Sequence, residues 1–98
     1  MKIVWSPLAI ERATEIAEYI AQDNPSAAIT WTEILFDKVQ LLNSSPKSGR
    51  QFPETNRKDI RELIHGNYRI IYRVEKGRVS VLTVRHGRQI LPIEEIPS

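Results

Sequence analysis

Two clusters in the chain have the chemistry to grip an anion. The first is the run YRIIYRV at residues 68–74. Side chains of an extended segment alternate between two faces, so Tyr68, Ile70, Tyr72 and Val74 share one side and Arg69, Ile71 and Arg73 the other. Arg69 and Arg73 then stand about 13 Å apart, a spacing that suits two phosphates or an acidic segment better than one oxyanion. A guanidinium is planar, permanently charged and forked to match either group. The competing readings are plain solvation and internal pairing with Glu62 and Glu75. The second cluster, VRHGRQ at residues 84–89, sets Arg85, His86 and Arg88 around Gly87. A histidine among arginines resists protonation and has the makings of a neutral base, unless it serves only as a structural hydrogen-bonder. His65, in IHGN, reads as a turn residue.

Other chemistries find no support. The chain has two histidines and no cysteine, which makes a poor metal site and excludes disulfides. Phosphate-cradling glycine loops, dinucleotide fingerprints and hydrolase elbows are all missing, so no cofactor is expected. The composition is that of one soluble globular domain over residues 1–98, with 41% apolar and 27% charged residues. The opening MKIVWSPL lacks an apolar run, no segment is long enough to span a membrane, and a cytoplasmic location is the expectation. Charge is unevenly spread. Residues 1–46 hold three basic and six acidic side chains, a net −3, while residues 47–98 hold eleven and six, a net +5. A basic second half points to an acidic or polyanionic partner, or to no more than a solvated surface.

The elements that would position these residues follow from periodicity. KIVW (2–5) is a short strand, and Ser6-Pro7 is a cap followed by proline at the first helical position. Ala9, Ala13, Ile16, Ala17 and Ile20 recur at helical spacing and predict a helix over 7–22. Asn24-Pro25 repeats the start signal for a second helix to about residue 43 or 44, with Ala28, Trp31, Leu35, Val39 and Leu42 buried and Pro46 beyond its end. So short a connection makes the pair an antiparallel hairpin. Residues 45–59 form a fifteen-residue loop carrying Lys47, Arg50, Arg57 and Lys58, long enough to suggest a function. Strands are predicted over 60–64, 68–74 and 78–84, joined by the tight turns HGN and EKG. The last has Val79 and Val81 on one face and Leu82 and Val84 towards the other, as for an interior strand whose end approaches the first one. The expected fold is α+β, β-α-α-β-β-β, with the hairpin on one face of a small antiparallel sheet. The opposite face would then be open and cationic. The tail QILPIEEIPS either packs back on the sheet or awaits a partner.

SPKSGRQFPE, then IRELIHGNYRIIYRV, then VSVLTVRHGRQ, in this order after a helical hairpin, resembles the RelE/ParE superfamily of toxins from type II toxin–antitoxin modules. The resemblance implies one of two targets. RelE-like members cut messenger RNA on the ribosome, and ParE-like members poison DNA gyrase. Metal-free RNA cleavage needs a proton acceptor, cations for the phosphate and a proton donor. Arg69 matches the arginine that RelE-like toxins use, but their lysine positions fall on Ile60 and Glu62, and no tyrosine or histidine follows Arg88. A nuclease would have to rely on Arg69, His86, Arg88 and Glu62. The His-Gly-Arg ending is the ParE-like form, so a gyrase inhibitor is the favoured expectation. Its target would meet Arg50, Arg57, Lys58, Arg61, Arg69, Arg73, Arg85, His86 and Arg88. The resemblance also implies a small cognate antitoxin with an acidic, amphipathic segment. Ile29, Phe36 and Leu41, outside the main stripe of the second helix, together with Arg69 and Arg73, would receive it, although the three apolar residues equally fit a core.

Overall fold

The computed structural model describes residues 1–87, 95 and 96. Strand β1 (Lys2–Trp5) runs into helix α1 (Pro7–Asp23) through Ser6, whose hydroxyl accepts from Ala9 N and donates to the Leu82 carbonyl. One residue, Asn24, ends α1 with its backbone N–H and caps α2 (Pro25–Gln40) with its side chain. A 3₁₀ turn, Leu41–Asn43, closes α2 just short of the residues that Pro46 excludes from a helix. Four strands follow: β2 (Arg50–Gln51), β3 (Ile60–His65), β4 (Tyr68–Glu75) and β5 (Arg78–His86). Gly66 (φ 59°) and Gly77 (φ 78°) supply the left-handed backbone that the two hairpin turns require.

The sheet order is β1-β5-β4-β3-β2. The helical hairpin lies on one face, as the α+β reading required. Ala9, Trp31, Leu35, Val39 and Leu42 pack there on Ile70, Tyr72, Val79, Val81 and Val84. Two details differ from expectation. Residues 50–51, read as loop, pair antiparallel with β3 and add a strand. The first strand joins β5 in parallel, and it meets the start of β5 (Lys2 opposite Arg78, Trp5 opposite Val81) rather than its end.

Val84 also turns out to share the helix-side core with Val79 and Val81. A register shift opposite Ile71 and Tyr72 makes Thr83 pair with Ile71 but Val81 with Tyr72, leaving Leu82 as the extra residue. A bulge inverts the alternation beyond it, which simple period-two reading cannot anticipate.

The far face is covered, not open. Phe52 from the 45–59 loop sits there with Ile60, Ile71 and Leu82 in a second apolar cluster, and Ile96 packs against it. Hydrogen bonds to Gly49 anchor the start of the loop. Gly49 N donates to the Tyr72 hydroxyl (3.0 Å), and Arg61 Nη1 donates to the Gly49 carbonyl (2.8 Å).

Candidate partner and target surfaces

The expectation of a free guanidinium face does not hold for Arg69. It is 8% exposed, its Nε donates to Glu62 Oε1 (2.6 Å), its Nη2 donates to Glu54 Oε1 (2.8 Å), and its guanidinium lies 4.8 Å over the Phe52 ring. Glu62 is itself buried and also accepts from Arg50 Nε. Burial works against the charge of Arg69, but Glu54 and Glu62 outweigh it and hold the guanidinium more firmly protonated than usual. The cause is the loop. By laying Phe52 and Glu54 over the sheet it removes Arg69 from water, and a buried charge must then be paired.

The other cations differ in what holds them. Arg73 Nε donates to Asp59 Oδ2 (3.2 Å), which also accepts from Arg57 Nη2 (2.8 Å). These two expected target contacts are therefore bound to one carboxylate, whose pKa is depressed chiefly by the hydrogen bond from Arg57. Arg61 is spent on the loop backbone. Arg50 and Lys58 stand exposed at the loop edge of the sheet, as does Lys47. Arg85 and His86 line a cleft with Arg12, Glu15, Ile16, Tyr19 and Tyr68, and His86 meets Tyr68 edge-on at 5.5 Å. Arg88 lies outside the described residues. His65 proves more than a turn residue, since it is buried, stacks on Trp31 and contacts the Trp31 carbonyl through Nε2 (3.1 Å).

The apolar surface lies elsewhere, on the outer seam of the hairpin. Ile29, Phe36 and Leu41 are 61%, 53% and 65% exposed, so the core alternative is excluded for all three. Sequence reasoning missed Ile10, Ile34 and Tyr19, which are exposed as well. Periodicity assigned them no role because it marks only the stripe that faces the sheet. Two depressions sharing Ala17, Glu18 and Thr32 run together into a groove along the seam of α1 and α2. Ile29 and Ala28 line one end, and Trp5, Ile10 and Phe36 the other, where Trp5 and Phe36 rings meet at 5.1 Å. Small residues of both helices form its floor.

Among the described residues, no group of three histidines, aspartates or glutamates could hold a metal ion, and no helix is long and apolar enough to cross a membrane.

The comparisons with known proteins agree with this architecture. In fold, the chain is similar to a toxin–antitoxin structure, the chromosomal ParDE system from P. aeruginosa, with a TM-score of 0.72, 18% identity, and coverage of 88% of this chain and 95% of that one. In sequence it is 36% identical over 93 residues to "Putative toxin Y4kP" of Sinorhizobium fredii, covering 93% of each chain. Residues 3–91 match the family described as ParE toxin of type II toxin-antitoxin system, parDE. That span takes in the hairpin, the loop and all of the sheet but Lys2, and the chain belongs to this family of ParE toxins.

Proposed function

We propose that this toxin arrests growth by binding DNA gyrase, without cutting nucleic acid itself, and that a cognate antitoxin neutralises it. The observation that carries the first part is the burial of Glu62 and Arg69 in one ion cluster. Glu62 is one of the two candidate bases of a messenger-RNA nuclease, beside His86, and Arg69 one of its two candidate cations, beside Arg88. A general base must come within hydrogen-bond reach of the proton it takes, and Glu62, with its side chain fully covered, has its carboxylate oxygens engaged by Arg69 and Arg50. A docking toxin has no such requirement. For target contact it can use the exposed edge formed by Lys47, Arg50 and Lys58, where steering by positive potential needs no burial.

The hairpin groove supports the second part. An amphipathic helix laid along Ile10, Ile29 and Phe36 would cover apolar side chains that the toxin leaves in water. Glu18 and Glu33 line the groove itself, so an acidic flank would have to turn towards the basic second half of the chain, net +5. Supercoiling of relaxed plasmid by purified gyrase tests the proposal. Inhibition by the toxin, relieved by the protein encoded beside it, is the expected result. Cleavage of translated messages with supercoiling intact would reject it in favour of the nuclease.

A further inference from the structure

Past the end of β1, the edge of β5 is flanked by α1 instead of a strand, and there three donors converge on one carboxylate. Thr83 Oγ1 donates to Glu95 Oε1 (2.9 Å), Arg85 Nη1 donates to Glu95 Oε2 (3.0 Å), and Arg12 Nη2 lies 3.5 Å from the same oxygen. The three come from rigid elements, Thr83 and Arg85 from β5 and Arg12 from α1. Arg12 is steadied from behind, its Nη1 donating to both oxygens of Glu15 (3.2 Å each).

Glu95 does not satisfy this site. Each guanidinium reaches it by a single nitrogen, and the Nε atoms of both Arg12 and Arg85 are buried with no hydrogen-bond partner among the described residues. An arginine meets a carboxylate best through two parallel bonds, and a buried N–H without an acceptor costs free energy. The site therefore has more donor capacity than its present occupant uses. Beside it, Ile96 rests on the apolar cluster of Phe52, Ile60, Ile71 and Leu82. What the surface accepts is an acidic side chain next to an aliphatic one.

We infer that Arg12, Arg85 and Thr83 form a carboxylate-binding site for an acidic–aliphatic peptide segment of a partner protein, and that the chain's own Glu95 and Ile96 occupy it in the partner's absence. A peptide fits better than a nucleic acid, because the pattern pairs a carboxylate subsite with a dry aliphatic one, the cluster of Phe52, Ile60, Ile71 and Leu82 on which Ile96 rests. The partner's identity as the antitoxin rests on the reading given above, whereas the chemistry of the site does not.

The test uses the toxin alone, so its failure is distinct from failure of the toxin–antitoxin reading. Fluorescence anisotropy follows a labelled hexapeptide IEEIPS, the sequence of residues 93–98, titrated onto the full chain. Glu95→Ala removes the competing carboxylate and should tighten binding about tenfold, the loss typical of one charge-assisted bond. Replacing both glutamates of the peptide by glutamine should reverse most of that gain, and Arg85→Lys in the Glu95→Ala background should weaken binding by loss of the fork. Circular dichroism checks that each variant is folded. Equal affinity of the native and Glu95→Ala chains, or of the glutamate and glutamine peptides, would overturn the inference. Tighter binding of a single-stranded oligonucleotide than of the peptide to Glu95→Ala would overturn it too.

Discussion

Replacing Glu62 by glutamine removes one charge from the centre of the far-face cluster and changes almost no volume. Arg69 is then left 8% exposed with a single carboxylate partner, Glu54, whose side chain is 44% exposed. Removing one partner of a buried ion pair costs about 3–5 kcal/mol. Glu54 remains, and the glutamine oxygen can still accept one bond, so a loss of about 2–3 kcal/mol is expected. With a urea m-value of about 1 kcal/mol/M for a small domain, the unfolding midpoint should fall by about 2–3 M. Replacing both partners, Glu62→Leu with Arg69→Met, should cost less than Glu62→Leu alone, because no unpaired charge stays behind. Urea titrations followed by Trp31 and Trp5 fluorescence read all these chains. A midpoint that moved less than about 0.3 M in Glu62→Gln would show that the cluster does not support the fold. The case against Glu62 and Arg69 as a nuclease pair would then lose its basis.

Three further outcomes follow from the same geometry. Gly49→Ala should destabilise by about 2 kcal/mol or more in thermal melts, since an added Cβ would lie 2.5 Å from the Glu62 carbonyl oxygen and 2.6 Å from the Tyr72 hydroxyl. Phe36→Asp together with Ile29→Asp should abolish co-purification with the antitoxin yet leave growth arrest intact, because both side chains face solvent in the free toxin. Hydrogen bonds from Arg57, and from Arg78 and Ser80, hold the carboxyls of Asp59 and Glu75 below their ordinary range. Such a group stabilises fully above its unfolded pKa and loses that contribution as pH falls through the folded one. The urea midpoint should accordingly decline below about pH 4, and less steeply in Asp59→Asn.

The helices and the order of the strands were legible because their signals are local. Proline after a capping residue, stripes of period 3.6 and two-residue glycine turns each act within a few positions. The covering of the far face was not legible. It depends on Phe52, one apolar residue in a loop otherwise rich in charge and proline, meeting Ile60, Ile71 and Leu82 from three strands. Alternation correctly placed Arg69 and Arg73 opposite the core, but it could not say what lay above them. Pairing with Glu62 was one of the readings open from sequence and holds for Arg69, but Glu54 and Asp59 look like ordinary loop acids until the loop folds over. The bulge at Leu82 was hidden for a related reason, as it appears only when β5 is laid against β4. The exposed apolar seam fared better. Ile29, Phe36 and Leu41 stood off the buried stripe of α2, and off the stripe is where the structure has them.

On the proposed reading the toxin meets its target through cations left exposed at the loop edge, while those on the sheet face serve the fold. Inhibition of gyrase supercoiling by the Lys47→Ala, Lys58→Ala double variant tests it most directly, because both lysines are exposed and their loss should leave the melting curve unchanged. The half-inhibitory concentration is predicted to rise about tenfold relative to the native chain, as for two contacts of about 0.7 kcal/mol each. An unchanged half-inhibitory concentration in a fully folded double variant would contradict the account.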